Sequence, residues 1–283
     1  MNAFARMLLV AGAHAAGKVP LFRAPLRRAY ERYYFNRAQG QIRLFSGVYP
    51  DFAAALEAIP ADRRAGHDHA ATAQRFTEDL YRVFPMDYPI LFWLNRLLPQ
   101  CRLLFDWGGN IGISYFAFQR HLQYPPELTW LVSDVPAVVR EGRERVRQAQ
   151  ARGLQFTDSL ERLCEADLLL AAGSLQFIER PFALLRAQRA LPRHLLFNKV
   201  PVYERASAVT LQNLGAALVP NHLFNEAEFL GEIQRLGYRL VDRWETDLAC
   251  RIPFYPEYAI DAYKGYYFTS TATATEATAA HTP

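Results

Sequence analysis

"LLFDWGGNIG", residues 103–112, runs an apolar stretch into one acid and then places three glycines in six positions. An apolar run of this length ending in Asp106 reads as a buried strand. Gly108, Gly109 and Gly112 suit a tight turn and the opening of a helix over "IGISYFAFQRHL", residues 111–122. Glycine lacks a Cβ, so it permits positive φ and lets a ligand lie against the backbone. A helix start also offers unsatisfied N–H groups and partial positive charge. The stretch therefore reads as a ligand cradle.

Outward from it the chain alternates between two periods. Strands are expected at "RLLFD" (102–106), "LTWLVSD" (128–134), "LQFT" (154–157), "DLLLAAG" (167–173), "HLLFNKV" (194–200), "YRLVDRWE" (238–245) and "KGYYFT" (264–269). Helices are expected at 135–153, 158–166, 181–192 and 225–237, with Pro136 starting the first and Gly237 ending the last. Strands that alternate with helices imply a doubly wound, mostly parallel α/β sheet. No helix separates the last two strands, so the final one is expected to run antiparallel. Residues 1–98 read as a helical extension without a strand, with Asp51 capping a helix that stops at Pro60. The expected division is 1–98 helical extension, 99–269 ligand-binding domain and 270–283 disordered Thr/Ala tail.

Charge and cysteines narrow the partners. The net charge is +4, but residues 1–43 hold eight basic residues against Glu31 alone, so the remainder is net acidic. That excludes a basic nucleic-acid face on the main body. Arg27, Arg28, Arg32 and Arg37 lie among Tyr30, Tyr33 and Tyr34. This arm either holds an anionic membrane surface or a phosphorylated lipid-linked substrate, or packs its aromatics inward with the arginines solvated. Cys101, Cys164 and Cys250 form no CxxC and suggest reduced thiols in the cytoplasm. The stretch "MLLVAGAHAAG" (7–17) is too interrupted for a secretion signal. His67 and His69 form an H-x-H with no third metal ligand at sensible spacing.

The run Asp106-Trp107-Gly108-Gly109-Asn110-Ile111-Gly112 lacks the G-x-G-x-x-G of a dinucleotide site. It resembles the first motif of the class I S-adenosylmethionine-dependent methyltransferases, in the D-x-G-G-x-x-G form. Asp134 ends a strand 22 residues after Gly112, where a ribose-binding carboxylate is expected. "SDVP" (133–136) resembles the segment of small-molecule O-methyltransferases at that point. The resemblance makes Asp158 an adenine contact and puts Gly173 and Ser174, in "AAGSLQFIERP" (171–181), beside the methionine moiety. The alternative for each of Asp134 and Asp158 is a helix cap, weighing more on Asp158. "FSGVYPDFAAALEAIP", "YPILFWLNRLL", "LQNLG", "FNEAEFLGEIQRLGYRLVDRWE" and "AYKGYYF" together resemble one family of bacterial methyltransferases, often encoded among surface-polysaccharide biosynthesis genes. The likeness covers residues 44–268 and implies S-adenosyl-L-methionine as cofactor, a seven-stranded Rossmann-like methyltransferase sheet and a sugar or other hydroxyl-bearing acceptor.

On the acceptor side the family's usual histidine is replaced by Gln176 and Phe177. His222, in "VPNHLFNEAEF" and expected on a loop, is the substitute base, or a structural histidine. Gln212 and Asn213 suit sugar hydroxyls, or cap a helix. The competing functional classes are a non-catalytic methyltransferase-like partner and a nicotinamide-dependent oxidoreductase. The latter would need the missing glycine motif and a Tyr-x-x-x-Lys pair.

Overall fold

The computed structural model describes residues 20–37, 44–64, 80–215 and 217–272. His67, His69, the segment 7–17 and most of the Thr/Ala tail lie outside the described residues. In chain order the elements are helix α1 (Pro20–Tyr30), strand β1 (Leu44–Tyr49), α2 (Phe52–Glu57), α3 (Tyr88–Leu97), β2 (Leu103–Trp107), α4 (Ile113–Phe118), β3 (Thr129–Ser133), α5 (Pro136–Ala149) and β4 (Leu154–Thr157). They continue with β5 (Leu168–Ala172), α6 (Pro181–Arg186), β6 (His194–Val200), β7 (Val202–Tyr203), β8 (Ala208–Asn213), β9 (Leu218–Asn225), α7 (Glu226–Arg235), β10 (Tyr238–Glu245) and β11 (Lys264–Ser270).

Seven strands form one sheet in the order β10-β11-β6-β5-β2-β3-β4. The pairs β2–β3, β3–β4, β2–β5 and β5–β6 are parallel, while β11 runs antiparallel to both β6 and β10. The doubly wound sheet with an antiparallel final strand is therefore present. Its centre reads as continuous apolar runs because both faces are covered: Leu104, Phe105, Leu168, Leu169, Leu170, Leu195, Leu196 and Phe197 are fully buried. The strand order reverses between β2 and β5, which opens a crevice at their carboxyl ends.

The chain divides into two compact units. One holds the seven-stranded sheet and is drawn from Asp68–Val200, Glu226–Thr246 and Tyr263–Pro283. The other is drawn from Met1–His67, Pro201–Asn225 and Asp247–Ala262. It contains a second sheet in the order β1-β8-β9-β7. This corrects the expectation that residues 1–98 are a strandless extension. β1 pairs antiparallel with β8, with Leu44 opposite Asn213, so its partner lies far along the chain. The segment 80–98 meanwhile belongs to the seven-stranded unit. α2 forms as expected, with Asp51 Oδ1 accepting from Ala54 N at 2.8 Å.

In the second unit the basic helix is neither wholly solvated nor wholly free. Arg23 lies over the Tyr255 ring and donates to Phe254 O, while Arg27 donates to Tyr255 Oη at 2.7 Å. Tyr30 and Phe35 are buried, whereas Tyr33 is 61% exposed between Arg32 and Arg37. The three cysteines are free thiols. No helix among the described residues is long and apolar enough to cross a membrane.

Candidate functional site

The cradle opens where β2 ends. Asp106 is completely buried; its Oδ2 accepts from Trp130 Nε1 at 3.0 Å, and its Oδ1 has no hydrogen-bond partner. Burial pushes this carboxyl up to about 7; the Trp130 bond opposes the shift and the charge of Asp134 adds to it. Gly109 lies directly on the carboxylate, so that any Cβ there would collide with Asp106. Gly108 has φ +74, and a Cβ on it would run into Ser174. Gly112, at φ +88, precedes α4 in the left-handed conformation. Asn110 also has positive φ, +53, where its Oδ1 accepts from Ile111 N at 2.8 Å. The sequence pattern thus meets its steric reason: three turns of backbone that a side chain would block or strain.

Most of the loop's amides bond within the protein. Gly108 N donates to Ser133 O at 2.7 Å, Asn110 N to Asp134 Oδ2 at 2.9 Å, and Gly112 N and Ile113 N to Gly109 O at 3.1 and 3.2 Å. α4 has only six residues. This is not an anion cradle of the kind that pyrophosphate requires.

Asp134 stands at the end of β3, half-buried, with Oδ1 accepting from Val135 N at 2.8 Å and Oδ2 holding Asn110. It therefore ties the glycine loop to the start of α5. Asp158 follows β4 and is exposed. The helix-cap alternative for Asp158 passes to its neighbour, since Ser159 Oγ accepts from Glu161 N at 3.1 Å. Gly173, at φ +86, follows β5 and donates to Asn198 O at 2.9 Å. Ser174 is buried and its hydroxyl donates to Trp107 O, closing β5 against β2. Gln176 is buried as well, with Nε2 donating to Gly173 O at 3.1 Å and Oε1 without a partner. Asp106, Gly108, Gly109, Gly112, Asp134, Asp158, Gly173 and Ser174 all fall in the seven-stranded unit, at the carboxyl ends of its parallel strands.

The acceptor-side residues fall in the other unit. His222 is on β9 rather than a loop, opposite Val209, with its ring stacked on Phe224 at 4.8 Å and tilted against Phe52 at 4.4 Å. Gln212 Oε1 accepts from Asn221 Nδ2 at 2.8 Å. Asn213 is fully buried; it donates to Phe35 O and accepts from Gly215 N at 2.6 Å. Neither is a helix cap: both belong to β8, and their amides bond within the unit.

Sequence reasoning passed over Lys199. It sits at the carboxyl end of β6 with φ +59, and its Nζ is 2.8 Å from Asp87 Oδ1. The available signal was a lysine directly after Asn198 at the end of a buried strand, "HLLFNKV". Among the described residues no group of His, Cys, Asp and Glu is arranged to hold a metal.

No family model matches the chain, and no curated protein matches it. Several solved structures are similar to it. One is a SAM dependent methyltransferase from Aquifex aeolicus, 13% identical over 72% of this chain and 99% of that one, with a TM-score of 0.48. Another is the 1,6-didemethyltoxoflavin-N1-methyltransferase of Burkholderia thailandensis, with bound 1,6-didemethyltoxoflavin and S-adenosylhomocysteine; it is 14% identical over 76% of this chain and 94% of that one, with a TM-score of 0.45. A third is an S-adenosylmethionine dependent methyltransferase from Mesorhizobium loti, 15% identical over 67% and 99%, with a TM-score of 0.45.

Proposed function

We propose that the chain is an S-adenosylmethionine-dependent methyltransferase acting on a small-molecule hydroxyl acceptor, of which sugars are the leading class. The observation that carries this reading is the polarity of the cradle at the β2/β5 switch point. The amides of Gly108, Asn110, Ile111, Gly112 and Ile113 bond within the protein, and the Asp106 carboxyl is sealed beneath the loop. Such a floor offers a pyrophosphate few free donors, and the ionised form of Asp106, which gains as pH rises through about 7, favours a ligand carrying positive charge. S-adenosylmethionine carries an ammonium and a sulfonium, and when bound it supplies an electrophilic methyl carbon. A nicotinamide dinucleotide carries the wrong sign.

In this reading each residue has a distinct task. Asp106 has no surface for a ligand to touch, so it acts through its field and by carrying Gly109. Gly108, Gly109 and Gly112 keep the backbone open. Asp134 receives a ribose diol; a carboxylate has about four acceptor positions, so anchoring the loop does not preclude this. Asp158 accepts from the adenine amino group. Gly173 and Ser174 form the wall beside the methionine moiety, with Ser174 fixing the Gly108 turn. The protein's contribution to methyl transfer is alignment of acceptor and donor in line, at about 3 Å. His222 is offered as the proton acceptor, with Gln212 and Asn213 shaping the unit that carries it. The free cysteines fit a cytoplasmic enzyme. Tyr33 between Arg32 and Arg37 is the patch that a peripheral membrane contact would use.

A thermal-shift series with S-adenosylmethionine, S-adenosylhomocysteine, NAD and NADP tests the assignment. The first two should stabilise the protein by about 2.7 kcal/mol at one hundred times their Kd. Stabilisation by NAD or NADP alone would overturn it.

A further inference from the structure

At the carboxyl end of β6 the ladder with β11 is interrupted. Lys264 faces Val200 and Tyr266 faces Phe197, so Asn198 and Lys199 together oppose Gly265. Such a two-against-one bulge turns a side chain out of its strand's alternation. Lys199 is the residue it re-aims, and its φ of +59 is a conformation a non-glycine residue keeps only where its surroundings over-determine it. Those surroundings are on hand. Asn198 donates to Met86 O at 3.0 Å and accepts from Trp244 Nε1 at 3.0 Å, which pins the strand tip. Asp87 Oδ1 holds the Lys199 ammonium, while Asp87 Oδ2 accepts from Phe84 N at 3.1 Å.

The bulge lays the stem of Lys199 beside the end of β5, while its ammonium reaches Asp87. Its stem lies on Gly173: a Cβ built there would be 3.4 Å from Lys199 Cδ and 3.6 Å from its Cβ. Gly173 leads to Ser174, and Ser174 packs on Gly108, so the contacts run unbroken from β6 through β5 to the switch point. Of the ion pair, Lys199 is the outer member, its side chain 22% exposed against 8% for Asp87. A lysine ammonium has three donors, and Asp87 takes one. What it offers a ligand beside Asp87 is ammonium N–H donors, whose charge-assisted hydrogen bonds are about twice as strong as those between neutral groups and shortest to an oxyanion.

We propose that Lys199 binds the methyl acceptor through an oxyanion, so that the acceptor is an acidic small molecule bearing a carboxylate or a phosphate. This rests on the methyltransferase reading of the neighbouring cradle. Asp87 is the positioning residue, fixing where the ammonium points.

The test is isothermal titration of the full chain, saturated with S-adenosylhomocysteine, against inorganic phosphate, glucuronate and glucose. At least one anion should bind saturably, and glucose at least 10-fold more weakly. A purely structural tether between β6 and the 84–87 turn would give no such preference. Lys199→Met should abolish the preference with S-adenosylhomocysteine affinity unchanged within 2-fold, and Lys199→Arg should restore it. Because Lys199→Met leaves Asp87 buried without its partner, Lys199→Met/Asp87→Asn is measured as well and should behave alike. Binding of phosphate alone marks a phosphorylated acceptor, and of glucuronate alone a carboxylate. Equal binding of anion and glucose, or anion preference surviving in the double variant, overturns the proposal. If S-adenosylhomocysteine does not bind, the cofactor reading fails, and the same anion titrations on the ligand-free protein still decide Lys199.

Discussion

Asp106 starts the glycine loop from a position with no solvent contact, and its ionisation is coupled to folding. The unfolded carboxyl titrates near 3.8 and the folded one at about 7, because burial outweighs the Trp130 hydrogen bond. Between those values the folded state holds the extra proton. Stability therefore falls as pH rises from about 4 to 7 and levels off above, by about 4 kcal/mol at most. Asp106→Asn has no charge to lose and keeps a carbonyl for Trp130 Nε1. Its Tm relative to the wild type should climb between pH 5 and pH 8, then stay constant; a difference independent of pH would show that Asp106 does not titrate there. Gly108 makes a second, steric claim. Gly108→Val puts a branched Cβ into Ser174 at φ +74. Cofactor binding should be lost by calorimetry while far-ultraviolet circular dichroism is largely kept, and unchanged binding would detach the loop from the ligand.

The β3–α5 junction shows how one side chain serves two elements. Asp134 holds Asn110 N and Val135 N at once, fixing the loop against the start of α5. Asp134→Ala should weaken S-adenosylmethionine by about 1.5–3 kcal/mol, the scale of lost charge-assisted hydrogen bonds. Calorimetry giving wild-type affinity in the folded variant would remove the residue from the site. This junction was legible in sequence because strand, acid and Pro136 follow one another within a few residues. The β8–β9 hairpin was not. Asn221 is fully buried and Gln212 nearly so, each serving as the other's hydrogen-bond partner. Polar residues paired across strands erase the apolar alternation by which strands are read. Hence "VPNHLF" looked like a loop, and His222 like a loop residue. Its ring, clasped by Phe52 and Phe224, predicts a separable outcome. As a general base, His222→Ala lowers kcat about 10²–10⁴-fold with cofactor affinity unchanged. Its packing loss alone is about 0.5–1.5 kcal/mol per aromatic contact, read as a lower Tm. A variant with lowered Tm and near-wild-type kcat removes His222 from the chemistry.

Across the whole molecule, the two sheets differ in how much of their pairing is local. The parallel strands β2 to β6 are each separated from the next by one turn or helix, which is why their sequence rhythm was readable. The second sheet joins β1 to β8 across the whole run of the parallel strands, and a single strand carries no mark of so distant a partner. The same division sets a test of where the cofactor acts. Every residue proposed to hold S-adenosylmethionine belongs to the seven-stranded unit, and the amides of Gly108 and of Asn110 to Ile113 make internal bonds that must open before they exchange. A ligand that binds only the folded cradle raises the free energy of that opening. With saturating S-adenosylhomocysteine, amide hydrogen exchange should slow at residues 108–113, 134–135 and 173–176. The β8–β9 ladder, whose bonds lie wholly in the other unit, should exchange at its ligand-free rate. Slowing across both sheets to the same extent would mean global rather than local stabilisation. Slowing confined to β8 and β9 would move the cofactor out of the glycine loop altogether.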